Sequence, residues 1–236
     1  MLLDFFNRAL AHPVLDALMI ALTMGGLLLL PVVSGLYAIR GDRRTAKAVL
    51  TALLAGAVAT LLFYFLAGRT RPPDTLLPAS MQLRLILPAP HLPSFPSGHA
   101  VLAFAVAGVV ALRTRRLGLR WGIFGLAAAI GVSRIYLAHH FPSDVVGGAV
   151  LGTTIGVACF GLWQDEPHHR RIRWLLWPQL GVVLLVTQMA YLGVLPWRLL
   201  AWPNADKVMH FLLFGAVAFW LNLWLNGRGG AAVAVR

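Results

Sequence analysis

The sequence predicts an all-α fold, a polytopic membrane helix bundle with about seven spans. Hydrophobic residues make up 59% of the 236 residues and charged residues only 12%, and the mean hydropathy is +0.76. Ordinary soluble domains do not have this balance. A membrane-spanning helix needs about 20 largely apolar residues. Seven runs approach or reach that length, at 14–37, 46–67, 97–112, 121–138, 143–163, 174–194 and 208–226.

The residues before the first run are amphipathic. Five apolar side chains lie on one side of this stretch: Leu2, Leu3, Phe5, Phe6 and Leu10. The pattern predicts an interfacial helix over residues 1–12, and the alternative is a frayed terminus. A cleaved signal peptide is not expected, because the first run is longer than a signal-peptide core and no basic segment precedes it.

Basic residues are concentrated after the first, third, fifth and seventh runs. The net charge is +12, but these residues do not follow one face of a soluble domain, so membrane topology explains them better than nucleic-acid binding. These ends are predicted to face the cytoplasm in a bacterial inner membrane, and the other ends to face the periplasm or outside. The residues are Arg40, Arg43, Arg44, Lys47, Arg113, Arg115, Arg116, Arg120, Arg170, Arg171, Arg173 and Arg228.

The longest irregular segment connects the second and third runs. Seven prolines between residues 68 and 96 exclude a continuous helix. We expect a loop with one short helix around Ser80–Leu87. Long ordered loops in compact proteins are usually functional, so this loop is predicted to form a rim or lid.

The fifth run contains a stripe of small residues. Gly148, Gly152 and Gly156 recur at four-residue spacing, which places them on one face of a helix. Another helix is therefore expected to pack closely against this face.

Three short polar segments lie at the predicted outer ends of the runs. They are Arg71-Pro72, then Pro96-Ser97-Gly98-His99, then Ser133-Arg134 followed by His140 and Asp144. Guanidinium groups bind phosphate through paired hydrogen bonds, and the N–H groups at a helix start favour an anion. Histidines transfer protons or phosphoryl groups. Together the segments predict one phosphate-transfer site.

The third segment places His140 four residues before Asp144, so their side chains are expected on one helix face. A carboxylate bonded to one imidazole nitrogen leaves the other nitrogen free as a nucleophile. His139 is less well spaced for this pairing. Plainer interpretations exist for each segment alone: a helix N-cap with an interfacial histidine, or arginines that reach lipid headgroups.

These segments resemble the three signature motifs of the type 2 phosphatidic acid phosphatase superfamily, over roughly residues 60–160. The family patterns are K-x6-R-P, P-S-G-H and S-R-x5-H-x3-D, and the second and third are complete here. The resemblance implies His140 as nucleophile, Asp144 as its orienting group and His99 as the proton donor to the leaving oxygen. It also implies no metal or other cofactor, and a phosphate-binding set of Arg71, Arg134, Ser97 and Gly98.

The first motif departs from the family pattern. Tyr64 stands where the lysine is expected, seven residues before Arg71. Either Arg69 supplies the missing charge from another position, or the Tyr64 hydroxyl donates a hydrogen bond instead. Loss of a charged donor costs about 1.5–3 kcal/mol, enough to slow an enzyme or change its substrate preference without abolishing its chemistry.

Beyond the fifth run, a short segment resembles the D-K-x2-H-F signature of VanZ-like membrane proteins. It comprises Asp206-Lys207, His210-Phe211 and Phe214-Gly215. A helix start capped by Asp206 is an equally good interpretation. We therefore expect a lipid phosphatase-like membrane domain over 1–165, which includes the interfacial helix, and a two-helix membrane segment over 166–236.

The sequence thus predicts a metal-independent lipid phosphatase of the cell envelope. It would remove phosphate from a lipid mono- or diphosphate through a phosphohistidine intermediate. The expected partners are the bilayer and a phospholipid or polyprenyl phosphate; undecaprenyl diphosphate is favoured, with phosphatidic acid as a competing substrate. Two alternatives stay open: a lipid-to-lipid phosphotransferase, and a non-catalytic protein that binds or transports a lipid headgroup.

Overall fold

The computed structural model describes residues 2–75, 82–165, 172–195 and 205–233. In these ranges seven long helices form a bundle, and no strand is present. This confirms the predicted all-α membrane bundle, and each apolar run coincides with one helix. The helices are α1 (Pro13–Ile39), α2 (Arg43–Ala67), α3 (Gly98–Arg113), α4 (Leu117–Tyr136), α5 (Pro142–Leu162), α6 (Leu176–Tyr191) and α7 (Ala205–Val233).

The bundle presents apolar side chains outward. Leu28, Leu54 and Phe65 are 73%, 60% and 86% exposed, a distribution that suits contact with lipid chains and not with water. Helices α1, α2 and α5 are long and apolar enough to cross a membrane, and α3 and α6 are shorter apolar helices. The chain is therefore a multi-pass membrane protein.

Local sequence signals set the helix ends. His12 accepts a hydrogen bond from the Val14 N–H at the start of α1, next to Pro13 at the first helical position. Asp42 caps α2 through the Thr45 N–H. Gly68 ends α2 in the left-handed conformation, with φ of +54°, which glycine adopts without strain.

Helix α3 lies at the centre of the bundle and packs closely against the glycine stripe of α5. A Cβ atom added to Gly148 would lie 2.7 Å from the Ser97 carbonyl oxygen, and one added to Gly152 would lie 2.9 Å from the Val101 carbonyl carbon. Only glycine allows this approach of backbone to backbone. The close packing predicted from the stripe is confirmed, and it sets α3 and α5 in a fixed relation at the end that carries the polar motifs.

The residues before α1 form a short helix. Leu2–Asp4 is α-helical and Phe5–Ala9 continues as a π-helical turn. Leu3 is buried against Ala100, Ile135 and Val145, so the segment is docked and not frayed.

The loop between α2 and α3 contains one helical turn, Pro72–Asp74, among its described residues. The short helix expected around Ser80–Leu87 is wrong for residues 82–87, which are not helical; its first two residues lie outside the described ranges. The reason is that the backbone N–H and carbonyl of Arg84 both bond to the Asn7 side chain, which takes the place of helical hydrogen bonds.

Among the described residues, the basic connections between α1 and α2 and between α3 and α4 lie at the end of the bundle opposite the polar motifs. Arg113 pairs with Asp42, which joins the α3–α4 connection to the start of α2. Arg44 pairs with Asp165 just beyond α5, at 2.9 Å. The clustering of positive charge at one end is the distribution that the orientation prediction requires.

Helices α6 and α7 pack on the outside of α5. Gly181 of α6 contacts Thr154, and Gln188 donates a hydrogen bond to the Ser143 carbonyl oxygen at 2.7 Å. Gln179 donates to the Leu213 carbonyl oxygen of α7 at 3.2 Å. The division of the chain near residue 165 stays a prediction.

The VanZ-like segment lies at the start of α7. Lys207 and His210 are exposed, and the His210 ring stacks on Phe214 at 5.9 Å between ring centroids. The Asp206 side chain lies outside the described part of the structure, so this resemblance also stays a prediction.

Candidate active site

Four helix ends meet at the end of the bundle opposite the Arg113–Asp42 ion pair. These are the last residues of α2 and α4 and the first residues of α3 and α5. All three polar segments lie there, so the structure brings together every candidate residue named from the sequence: Tyr64, Arg69, Arg71, Ser97, Gly98, His99, Arg134, His140 and Asp144.

His140 lies in the turn between α4 and α5 and is only 1% exposed. Its Nδ1 is 2.8 Å from the Ser94 carbonyl oxygen. Because a carbonyl oxygen only accepts, the hydrogen-bond network assigns the proton to Nδ1 and the lone pair to Nε2. Burial lowers the pKa of His140 to about 4, and the positive charges of Arg71 and Arg134 act in the same direction against the opposing effect of Asp144. The imidazole is therefore neutral near pH 7.

Asp144 is fully buried, and its Oδ2 lies 3.7 Å from the Nδ1 of His140, an electrostatic contact longer than a hydrogen bond. His140 precedes the first residue of α5, so the two side chains do not share a helix face. The carboxylate accepts hydrogen bonds from the Ser94 hydroxyl, the Phe141 N–H and the Arg69 guanidinium. Asp144 thus anchors the residue whose carbonyl holds His140.

Arg71 reaches the Nε2 of His140. Its Nη1 lies 3.2 Å from the Nε2 of His140 and donates to the His139 carbonyl oxygen at 2.9 Å. Its Nε and Nη2 donate to the carbonyl oxygens of Leu92 and Pro93. The side chain is buried, with 2% of the residue exposed, so it does not extend to lipid headgroups.

Arg134 is also buried, at 4% exposed, and its hydrogen bonds are incomplete. Its Nη1 donates to Thr23 at 3.4 Å, and its buried Nε has no partner. The buried Ser97 hydroxyl likewise has none. Among the residues that the structure describes, neither Arg71 nor Arg134 forms an ion pair with a carboxylate. Buried unpaired cations are costly, and an anion bound between them would offset that cost.

The start of α3 adds backbone donors. Ser97 is the N-cap residue and makes no side-chain capping bond, so its hydroxyl is not used by the helix. The Tyr64 oxygen lies 3.5 Å from the position that a Cβ on Gly98 would take, and the hydroxyl interacts with the Gly98 N–H and with Arg71. The Tyr64 hydroxyl therefore lies in the site, where it is one of the two replacements proposed from the sequence for the missing lysine.

His99 occupies the first turn of α3 and is half-buried. It lies within electrostatic reach of Arg71, Arg134 and His140. Both motif histidines therefore belong to one site. A neutral buried imidazole and a second, more accessible one are the two groups that nucleophilic attack with proton donation requires.

Arg69 has a different position from the one expected of a substitute lysine. Its Nη1 donates to Asp144 at 2.5 Å and to the Ser143 hydroxyl at 2.8 Å, and its guanidinium lies 4.4 Å from the centre of the Phe141 ring. Its charge is thus paired with a carboxylate. Its assignment as a phosphate ligand stays a prediction.

Two residues of the site were not identified from the sequence. Ser94 lies in a proline-rich loop, where no spacing rule links it to His140. Thr23 is fully buried in α1 and is 2.6 Å from the Ser133 hydroxyl while it accepts from Arg134. A polar residue inside an apolar run was the signal for Thr23.

The comparisons with known proteins agree with this geometry. The family model of the PAP2 superfamily matches residues 44–167, more than half of the chain. The chain is 29% identical over 149 residues to undecaprenyl-diphosphatase BcrC of Bacillus subtilis, covering 63% of this chain and 75% of that protein. It is 33% identical over 131 residues to a decaprenylphosphoryl-5-phosphoribose phosphatase of Mycobacterium tuberculosis, covering 56% and 68%.

A solved structure is similar over a comparable length. The crystal structure of Aquifex aeolicus LpxE superposes with a TM-score of 0.58 at 29% sequence identity, covering 67% of this chain and 92% of that one. The family match covers α2 to α5. The structural match shows that the helices are arranged in a similar way. The chain belongs to the PAP2 superfamily and is a membrane lipid phosphatase.

Proposed function

We propose that the protein removes a phosphate from a lipid mono- or diphosphate through a phosphohistidine at the outer face of the bacterial cytoplasmic membrane. The observation that carries the proposal is the set of buried donors around His140. The Nε of Arg134 and the hydroxyl of Ser97 have no partner, and Arg71 has no carboxylate partner among the described residues. A phosphate group supplies the negative charge and the acceptor oxygens that these donors require.

In the first half of the reaction, the Nε2 lone pair of His140 attacks phosphorus. The bond from phosphorus to the leaving oxygen breaks, and His99 donates a proton to that oxygen. Arg71, Arg134, Ser97 and the Gly98 N–H stabilise the charge on the remaining oxygens. The position of Arg71 beside the Nε2 of His140 and the partnerless donors of Arg134 and Ser97 support these roles.

In the second half, water attacks the phosphorus of the phosphohistidine. His99, now neutral, accepts a proton from this water, and the bond between phosphorus and Nε2 breaks to release inorganic phosphate. His140 returns to its neutral form with the Nδ1 proton still held by Ser94. The balance of the cycle is one water consumed per phosphate released.

Undecaprenyl diphosphate is the favoured substrate. Two relatives whose names give their substrates act on polyprenyl phosphates, undecaprenyl diphosphate in one and decaprenylphosphoryl-5-phosphoribose in the other. The outer orientation is supported by the basic connections at the opposite end of the bundle. A long polyprenyl chain in the bilayer suits a site at the ends of apolar membrane helices.

The test is phosphate release by purified protein from undecaprenyl diphosphate, phosphatidate and phosphatidylglycerol phosphate, with EDTA present. We expect release from undecaprenyl diphosphate to be fastest and to be abolished by His140→Ala. His91→Ala serves as a matched control, because His91 is an exposed histidine of the neighbouring loop and its loss should leave the rate unchanged.

Two results would contradict the proposal. Equal release by wild type and His140→Ala would exclude the phosphohistidine. Transfer of phosphate to an added lipid acceptor, with little release to water, would identify the protein as a phosphotransferase that uses the same intermediate.

A further inference from the structure

We infer that Asn7 is a positioning residue for the catalytic histidine, because it joins the N-terminal segment (residues 2–9) to the turn that carries His140. The inference rests on the role proposed above for His140. It extends the working site to a part of the chain that lies outside the matched family region, residues 44–167.

Asn7 is fully buried, and both of its side-chain donors are used. Its Nδ2 donates to the carbonyl oxygens of Tyr136 at 2.7 Å and Arg84 at 2.9 Å, and its Oδ1 accepts from the Arg84 N–H at 2.8 Å. Tyr136 is the last residue of α4, where carbonyl groups have no partner within the helix. Asn7 therefore caps α4 from a segment 129 positions away.

A second set of contacts strengthens this connection. The Nη1 of Arg84 donates to both carboxylate oxygens of Asp16, at 2.9 and 2.7 Å. The Tyr136 hydroxyl donates to the same carboxylate at 2.5 Å, and the Arg84 guanidinium lies 5.3 Å from the centre of the Tyr136 ring. These contacts join four parts of the chain at one place: the N-terminal segment, the start of α1, the loop between α2 and α3, and the end of α4.

These contacts lie next to the turn between α4 and α5, which carries His140. His140 is four residues beyond Tyr136 in a turn in which Ala138 has a φ of +57°. The N–H groups of His139 and His140 both donate to the Arg134 carbonyl oxygen. His139 Nε2 is 3.2 Å from the Leu87 carbonyl oxygen, in the loop that Asn7 holds through Arg84. A shift of the Tyr136 carbonyl would therefore move the imidazole that attacks phosphorus.

The arginines that would hold phosphate also have anchors outside the turn that carries His140. Arg134 is bonded to Thr23 of α1, and the Nε of Arg71 is bonded to Leu92. Asn7 should therefore affect the attack by His140 more than the binding of a phosphate group. Misplacement of a reacting atom by about 1 Å can cost on the order of a hundredfold in rate.

The test compares two anions. Vanadate in its five-coordinate form requires a bond to the His140 Nε2, whereas inorganic phosphate requires only the donors around it. In Asn7→Ala we expect kcat to fall about tenfold or more and vanadate affinity to fall by a similar factor, while phosphate affinity changes less than about threefold. Asp16→Asn, which weakens the same connection with no change of size, should act in the same direction and decides the question if Asn7→Ala does not fold.

Thr45→Ala is the matched control for a general loss of stability. Thr45 is 4% exposed, lies at the opposite end of the bundle and loses the hydrogen bond from its hydroxyl to Asp42 when substituted. Unchanged kcat and vanadate affinity in Asn7→Ala, or an equal loss in Thr45→Ala, would overturn the inference. If the wild type released no phosphate from any lipid, the proposed function would fail, but the ratio of vanadate to phosphate affinity would still test the positioning role.

Discussion

At the scale of single residues, the site depends on the hydrogen-bond partner of each nitrogen and oxygen atom around His140. Ser94 accepts from Nδ1, Asp144 accepts from the Ser94 hydroxyl, and Arg71 faces Nε2. This arrangement gives one tautomer, with the lone pair toward the arginines that would hold phosphate. It also keeps the imidazole neutral, because the same burial that orients it disfavours its charged form.

The lowered pKa of His140 predicts the acidic side of the activity profile. Protonated imidazole has no lone pair to attack phosphorus, and the pKa of His140 is about 4 instead of 6.5. As pH falls, kcat/KM for undecaprenyl diphosphate should therefore remain high through pH 6 and decline only near pH 4. The measurement is phosphate release from pH 3.5 to 8 in detergent. A midpoint near 6.5 would contradict the assigned environment of His140.

Substitution of Tyr64 is predicted to change the affinity of the site for phosphate and its analogue vanadate. Lysine at this position would add a charged donor next to Gly98 and Arg71, an interaction worth about 1.5–3 kcal/mol. Vanadate should therefore inhibit the Tyr64→Lys variant roughly ten to a hundredfold more strongly than the wild type. Tyr64→Phe removes only the hydroxyl and should weaken inhibition several-fold. The two inhibition constants are to be compared with that of the wild type. Unchanged inhibition in both variants would show that Tyr64 does not face the phosphate.

Single residues were predicted unevenly from the sequence. The motif spacing identified the groups that meet at the site, because helix ends bring such segments together. It placed Asp144 near His140, with Oδ2 at 3.7 Å from Nδ1, but it missed Ser94, the loop residue whose carbonyl oxygen accepts the hydrogen bond from Nδ1. A contact between a proline-rich loop and a turn 46 positions later follows no periodicity from which to predict it.

At the scale of helices, the packing of α3 on α5 sets the distance between the second and third motifs. A Cβ on Gly152 would meet the Val101 carbonyl group and lie 3.0 Å from the Ala105 backbone nitrogen. Backbone atoms cannot move aside as a flexible side chain can. The glycine stripe was predicted correctly because small residues at four-residue spacing are typical of a close contact between membrane helices.

Gly152→Ala should therefore destabilise the bundle by about 1–3 kcal/mol and lower the midpoint of thermal unfolding by on the order of 5 °C. Gly125→Ala in α4 is the matched control, because no atom lies within 4 Å of its added methyl group; this variant should be as stable as the wild type or slightly more stable. Both midpoints are to be measured in the same detergent. Equal stability of the two variants would show that α3 and α5 are not in close contact.

The long loop shows the limit of prediction at this scale. Its prolines correctly predicted an irregular segment, but the short helix assigned within it does not form at residues 82–87. Helix propensity was outweighed by the two bonds from Asn7 to the Arg84 backbone. Such bonds come from a segment 77 positions earlier, beyond the reach of any local pattern.

At the scale of the whole molecule, charge separates the two ends of the bundle. The ion pairs Arg113–Asp42 and Arg44–Asp165 hold basic connections together at one end, and the motifs lie at the other. Hydropathy and charge predicted this arrangement because the bilayer acts on the entire chain and not on particular contacts.

The orientation predicts which end a membrane-impermeant maleimide can reach in intact cells. In a Cys159→Ala background, Gln82→Cys in the outer loop should be labelled without permeabilisation, since Gln82 is exposed. Arg115→Cys, which replaces a residue of the α3–α4 connection, should be labelled only after permeabilisation. The reverse pattern would place the site in the cytoplasm and exclude outward-facing hydrolysis.

Trapping the phosphoryl group on the protein tests the proposed mechanism at its intermediate. Wild type would be mixed with undecaprenyl diphosphate labelled in its terminal phosphate and stopped in alkali, which preserves phosphohistidine, and the label would be located by mass spectrometry of peptides. We predict label on His140, retained in His91→Ala and absent from His140→Ala. Rapid phosphate release with no label on His140, or with label on His99 or His139, would contradict the assignment of His140 as the nucleophile.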